Sequence, residues 1–152
     1  MVAQMGSICL LSQGDKYVFE ISNIQPCNGV VRISDESMLQ TYFYIQLSHV
    51  LEHVTEPLEM VKRVAAYLAE DGYLLVEVPQ DLSTALLQKL QTGITDIFIG
   101  VHEHINNYSL LSIQKLIAAA GLEIVFIEAV PVVSSVATQD YIRALAKRPS
   151  RP

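Results

Sequence analysis

The strongest constraint on the fold is an alternation of strand-like runs and helical segments between residues 44 and 146. Residues 44–48, 73–79, 122–130 and 141–146 are predicted strands. Residues 73–79 are apolar on both alternating faces, which is typical of a strand with helices on both sides in a parallel sheet. Helical spacing follows Thr55 and Ser109. This order of strands and helices predicts an α/β fold built in layers.

The first helix is predicted directly after Thr55, with Pro57 in its first turn, where a missing N–H costs nothing. Gly72 follows the pattern and suggests a left-handed cap. The residues predicted to share one apolar face are Leu58, Val61, Ala65 and Leu68.

The second helix is predicted after Ser109, a plausible N-cap, and Gly121 is predicted to end it. Its apolar stripe consists of Ile113, Leu116, Ile117 and Ala120. Upstream, residues 16–22 and 29–34 are predicted strands. The gap between them is shorter than the dozen residues of a usual parallel crossover. We therefore expect either hairpin pairing or missing N-terminal helices.

Composition and charge limit the classes of function. Hydrophobic residues make up 51% of the 152 residues and charged residues 17%, which suits one domain with a buried core. The net charge of −6 provides no basic field, so we expect no nucleic-acid partner. The N-terminus reads poorly as a signal peptide, and no apolar stretch approaches the ~20 residues that cross a bilayer. We expect a cytoplasmic protein without a membrane partner.

Two clusters contain all 4 histidines of the chain. His49 and His53 frame an H-x-x-E-H pattern, which zinc peptidases place on one helix with both histidines on the same face. Here the pattern follows a strand, and helical spacing starts only near Thr55. The second cluster is His102-Glu103-His104, which could chelate a metal. The clusters could form a four-histidine metal site or two unrelated polar loops, and a resemblance favours a third interpretation.

Residues 48–54, with the sequence Ser-His-Val-Leu-Glu-His-Val, resemble class I S-adenosylmethionine-dependent methyltransferases. In many of these enzymes a strand ends in a similar loop, and a later strand closes in Glu-Val-Pro, as at residues 77–79. Residues 103–109 resemble their Glu-His-x-x-x-Phe/Tyr-Ser segment, and an Ala-Gly-Leu turn follows at 120–122. The match covers residues 44 to about 130 in the correct order.

The resemblance implies an α/β, Rossmann-like methyltransferase fold with a mostly parallel sheet, an antiparallel last strand and an incomplete, shortened N-terminal part. It implies one domain over residues 1–152, in which 41–147 match well and 1–40 poorly. The implied cofactor is S-adenosylmethionine, with no metal. The implied acceptor is a small molecule such as a sugar, because residues 128–131 are similar to sugar C-methyltransferases. Sugar and polyketide O-methyltransferases are alternatives, and a partner chain or second copy is a further expected partner.

Site residues follow from the same resemblance. Ser48 and His49 are expected near the cofactor, at the carboxyl end of the central strand. Glu20 is expected to accept hydrogen bonds from the cofactor ribose, or else to be a solvated side chain. His104 is expected to be the general base or a substrate binder, with Glu103 orienting it. The alternative is that His104 caps the following helix or packs.

Two departures from the family pattern affect the cofactor site. The glycine-rich turn after the first strand is absent, and the nearest candidate is the lone Gly14. Tyr42 and Phe43 stand where the family often has Phe-Asp. Two hypotheses therefore remain: an active methyltransferase, or a non-catalytic remnant that acts as an interaction module.

Overall fold

A computed structural model of the chain describes residues 7–12, 15–19, 29–33, 35–80, 91–93, 104–133 and 138–150. In this part of the chain, one seven-stranded mixed sheet has the spatial order β3-β2-β1-β4-β5-β7-β6. The elements in chain order are β1 (Ser7–Ser12), β2 (Asp15–Phe19), β3 (Val30–Ile33), β4 (Tyr42–Ser48), α1 (Pro57–Ala66), β5 (Leu68–Pro79), α2 (Leu110–Ala119), β6 (Glu123–Val133) and β7 (Thr138–Lys147).

Most strands of the sheet point in one direction. Parallel pairs join β2 to β3 and β4 to β5. β1 runs against β2 and β4, and β7 runs against β5 and β6. Consequently β2 to β6 share one direction and only β1 and β7 oppose it. The predicted α/β, Rossmann-like fold with a mostly parallel sheet and an antiparallel last strand is confirmed, while the reversed β1 is an addition.

The expected hairpin between the strands at 16–22 and 29–34 is wrong, because β2 and β3 pair in parallel, with Lys16 opposite Val30. The physical reason is strand length. β2 has five residues and β3 has four. An extended chain covers about 3.3 Å per residue, so the ten residues between the two strands are long enough to return along so short a strand.

α1 begins where the sequence predicted but ends earlier. Pro57 occupies its first turn, and Tyr67 closes it by donating its N–H to the Val64 oxygen at 3.0 Å. Leu68, predicted on the helical face, pairs instead with Tyr42 in the sheet. Gly72 lies inside β5 without a positive φ, so its predicted role as a left-handed cap is also wrong. Pairing with β4 therefore ends the helix.

α2 has both predicted ends. Ser109 accepts from the Ser112 N–H, and the Ser112 hydroxyl oxygen accepts from the Ser109 N–H, which forms a capping box. Gly121 has a φ of 78°, and its N–H donates to the Ala118 oxygen at 3.0 Å. The next N–H, from Leu122, donates to Ile117 at 3.2 Å, which completes a Schellman motif.

One face of the sheet packs on both helices and forms the core. Buried Val61 and Val64 of α1 and Ile113 and Ile117 of α2 belong to one apolar cluster with the sheet. The sheet residues of this core include Ile45, Leu47, Leu74, Val76, Val78, Ile142, Ala144 and Ala146. The opposite face of β4, β5 and β7 is only half-buried and carries polar side chains. No helix described here is long and apolar enough to pass through a membrane.

Candidate functional site

The candidate site lies at the carboxyl edge of β4 and β5. Ser48 ends β4 and stands opposite Glu77 near the end of β5. Leu47 and Phe19 both stand opposite Ile8, so β2 ends level with β4 at the same edge. Open α/β sheets bind ligands outside the carboxyl ends of their strands. The fold therefore puts the predicted residues Ser48 and His49 where a ligand is expected.

A carboxylate holds the end of β4 to β5 and β7. Glu77 Oε1 accepts from the Ser48 hydroxyl at 2.8 Å, and Oε2 accepts from Arg143 Nε at 2.6 Å. Burial raises the pKa of Glu77, but the bonds from Arg143 and Ser48 outweigh it and lower the pKa overall. Neither Glu77 nor Arg143 was predicted as a site residue. A carboxylate at the end of an otherwise apolar strand was the available signal for Glu77.

Replacing Glu77 with glutamine should lower the free energy of unfolding by about 1–3 kcal/mol near pH 7, because a half-buried carboxylate loses its charge-assisted bonds. A folded pKa below the ordinary 4.5 means that this stability is present above that value and is lost as pH falls through the folded pKa. Urea unfolding at pH 7 and below pH 4 measures the difference. Glu123→Gln, which breaks an exposed pair with Lys147, is the control and should change little.

His49 is held in a fixed position directly after β4. Its φ of 55° is left-handed, which is rare outside glycine, and its N–H donates to the Glu77 carbonyl oxygen at 3.0 Å. Its Nδ1 lies 3.1 Å from Glu52 Oε1, and the ring meets Tyr141 edge-on. The hydrogen bond to Glu52 raises the pKa of His49 against the opposing effect of burial. The imidazole is thus oriented at the carboxyl edge.

The H-x-x-E-H pattern forms no α-helix. Residues 51–53 make one 3-10 turn, and α1 starts only at Pro57, as the helical spacing predicted. The zinc-peptidase interpretation is wrong, because it needs both histidines one turn apart on a continuous helix. Glu52 is instead fully buried at the centre of the turn.

Five hydrogen bonds fasten the segment after His104 to this turn. The N–H groups of Ile105 and Asn106 donate to the Glu52 carbonyl oxygen at 2.9 and 3.1 Å. Asn106 Nδ2 also donates to the carbonyl oxygens of Leu51 and Val54. The buried Tyr108 hydroxyl donates to Leu51 at 2.9 Å, and burial raises the pKa of this phenol.

These bonds bring His104 beside His53 of the first cluster. The rings of His53 and His104 are 5.1 Å apart between centroids. The interpretation of two unrelated polar loops is therefore wrong, and so is a capping role for His104, since the serines at 109 and 112 cap α2. Single atoms of Glu52, His53 and His104 lie within 4.8 Å of one another. The sequence offered a metal site built from the histidine clusters as one alternative, but it did not predict Glu52 in such a group.

Glu20 and Glu103 lie outside the described residues, so their roles stay predictions. Gly14 lies outside the described residues as well. Ser7 pairs with Ser48, and Ser12 pairs with Asp15, so the carboxyl end of β1 lies at the edge of the sheet away from Ser48.

The profile of a family described as a methyltransferase domain matches residues 11–126. The chain belongs to this family. No curated protein matches the chain. S-adenosylmethionine is the methyl donor of this methyltransferase family. The match begins at the end of β1 and includes the histidine-bearing turn.

Solved structures share the fold of this methyltransferase-domain protein. A protein described as a methyltransferase from Bacillus halodurans C-125 has a TM-score of 0.58 and 11% identity, over 82% of this chain and 74% of that one. A family 2 O-methyltransferase from Planctomyces limnophilus, in complex with apigenin, has a TM-score of 0.56 and 20% identity, over 80% of this chain and 36% of that one. The O-methyltransferase NcsB1 of neocarzinostatin biosynthesis is in complex with S-adenosyl-L-homocysteine and 1,4-dihydroxy-2-naphthoic acid. It has a TM-score of 0.52 and 16% identity, over 80% of this chain and 34% of that one. This chain spans about a third of those two O-methyltransferases.

The described residues fit part of the cofactor. The Ser48 hydroxyl donates to Glu77, which leaves its oxygen to accept from an amine or hydroxyl group. The left-handed His49 turns the chain away from the direction of β4. The first residue of β1, Ser7, lies at this edge, so the turn after β1 lies at the opposite edge of the sheet. Among the described residues, Ser48 therefore offers one polar contact for the cofactor, and β1 supplies no backbone turn beside it.

Proposed function

We propose that the protein is an S-adenosylmethionine-dependent methyltransferase that acts on a small molecule, such as a sugar or a secondary-metabolite intermediate. One observation supports this most: Ser48 and His49 stand at the carboxyl edge of β4 in a chain whose family is that of methyltransferase domains. Ligands of open α/β sheets bind at this edge.

On the cofactor side, the proposal gives Glu20, Ser48 and His49 the binding roles. Glu20 directly follows β2, which ends level with β4, and a carboxylate can accept from both ribose hydroxyls. Ser48 accepts from a cofactor donor group while its own hydroxyl proton is donated to Glu77. His49 is oriented by Glu52 beside the proposed cofactor. The bound cofactor supplies an electrophilic sulfonium methyl group.

On the acceptor side, the proposal gives His104 the role of general base or substrate binder, and Glu103 the role of orienting it. His104 is half-buried and lies on a segment that five hydrogen bonds fix against the 51–54 turn. Fixed orientation matters because the nucleophile must approach the methyl carbon in line at near-attack distance. Removal of the acceptor proton needs a side chain that titrates near neutrality, which suits histidine.

A non-catalytic interaction module is the second candidate. The reversal of β1 favours it. Because β1 runs against β4, its carboxyl end lies at the edge of the sheet away from Ser48, so no described turn after β1 can cradle a cofactor bound beside Ser48. A partner chain or a second copy that supplies this cradle would reconcile the reversed strand with activity.

Isothermal titration of the purified chain with S-adenosylmethionine separates the two candidates. The enzyme should bind with micromolar affinity, and Ser48→Ala should weaken the binding. ATP, which shares the adenosine but lacks the amino acid, is the control ligand and should bind more weakly. No heat at millimolar S-adenosylmethionine would reject the enzyme proposal for this chain alone and support the interaction module.

A further inference from the structure

We propose that Glu52, His53 and His104 form a binding site for one divalent transition-metal ion. The three residues come from two segments that are about fifty residues apart in sequence and adjacent in space. One carboxylate oxygen and two imidazole nitrogens are a donor set that zinc and related ions accept, and two imidazoles favour these ions over magnesium or calcium.

The buried carboxylate is the observation that points to a cation. Glu52 is 0% exposed, and its Oε1 is engaged by the imidazole of His49. Its Oε2 is also buried and has no hydrogen-bond partner among the described residues. A buried carboxylate oxygen without a partner is costly, whereas coordination to a metal compensates its lost hydration. The ion would therefore satisfy an atom that the described part of the chain leaves unsatisfied.

The geometry needs only a small adjustment. An ion at about 2.0–2.2 Å from each ligand in a tetrahedral arrangement holds the ligand atoms roughly 3.4 Å apart. The corresponding atoms here lie within 4.8 Å of one another. His53 is exposed, so its ring can rotate toward Glu52 without disturbing the core.

The backbone already holds the two segments together. The carbonyl oxygen of Glu52 accepts from Ile105 and Asn106, the two residues that follow His104. The ligand-bearing residues therefore start near their bound positions, and less conformational entropy is lost when the ion binds.

Three protein ligands leave at least one position of a tetrahedral ion open. If the proposed methyl transfer holds, an acceptor hydroxyl could occupy this position, which would make His104 a substrate binder that acts through the ion. Binding of the ion itself does not depend on the methyltransferase proposal, because it can be measured without cofactor or acceptor.

The test is titration of the untagged, chelator-treated chain with zinc chloride. We expect one saturable site, no comparable heat from magnesium chloride, and a melting temperature that rises with zinc. His53→Ala and His104→Ala should each weaken zinc binding by at least roughly 10–100-fold. Loss of a residue that only hydrogen-bonds to a metal ligand already has an effect of this size, and loss of the ligand itself should not be smaller. His53 is exposed, so its variant should keep the fold.

Glu52→Gln tests the carboxylate, with Glu59→Gln as the matched control at an exposed helical position. Zinc binding should weaken in the first variant and persist in the second. Absence of a saturable zinc site in the wild type would overturn the proposal. Unchanged zinc affinity in His53→Ala and His104→Ala would overturn it too. Either result would leave the S-adenosylmethionine titration unaffected, so the two proposals fail separately.

Discussion

Replacing His104 with alanine should lower methyl transfer by about 10²–10⁴-fold, the range typical for loss of a general acid or base. The cofactor affinity should stay unchanged, because Ser48 and His49 lie at the end of β4, whereas His104 lies beside His53. The acceptor is first found by screening sugar nucleotides and aromatic hydroxy compounds for release of S-adenosylhomocysteine. Turnover and calorimetric cofactor affinity are then measured on the same preparation.

Asn107→Ala is the matched control, since Asn107 is exposed on the same segment. It should retain near-normal turnover. Equal methyl transfer by His104→Ala and the wild type, with cofactor bound normally, would remove His104 from the reaction.

His53→Ala then distinguishes the two roles of His104. A base acts alone, so turnover should survive the loss of His53. A metal ligand acts with its partners, so turnover should fall in His53→Ala as well. The variant is informative because His53 is exposed and contributes little to the core.

The unit from β4 to β5 was predictable because its signals are local. Pro57 marks the first turn of α1, and a run that is apolar on both faces marks β5. The same holds for α2, where Ser109 and Gly121 define the ends through hydrogen bonds within a few residues. Caps and periodicity are read from neighbours in sequence, so these elements follow from the chain itself.

The end of α1 was not predictable from local signals. Leu68 continues the apolar helical spacing, yet it joins β5 because pairing with Tyr42 offers sheet hydrogen bonds and a buried position. Helix propensity is a weak preference that such tertiary contacts override. The direction of β1 is a similar case, since an apolar run does not specify which way the strand points.

The site residues also differ in whether local signals in the sequence could identify them. Ser48 and His49 were placed correctly at the strand end because a motif adjoining β4 identified them. The group of Glu52, His53 and His104 depends on hydrogen bonds from Asn106 and its neighbours to a turn more than fifty residues upstream. Side-chain to backbone bonds across such a distance leave no periodic trace in the sequence.

Replacing Gly72 with valine should destabilise the fold by at least the ~1–3 kcal/mol typical of overpacking. A Cβ at this position would lie 2.9 Å from the Phe43 carbonyl oxygen and 3.1 Å from the backbone N and O of Ala69. These atoms belong to the backbone, so no side-chain rotation can relieve the contact. The pairing of β4 with β5 also shifts register between Tyr42 and Tyr44, beside the atoms that would have to move. Urea unfolding of variant and wild type measures the loss.

Gly121→Asn provides the control for glycine removal without a steric contact. Gly121 has a φ of 78° with no atom within 4 Å of an added Cβ, and asparagine tolerates left-handed backbone better than other side chains do. Gly121→Asn should therefore lower the free energy of unfolding by less than Gly72→Val does. The close approach of β5 to Phe43, and not conformational freedom, is the reason that this strand contains a glycine. A Gly72→Val protein as stable as the wild type would contradict that close approach.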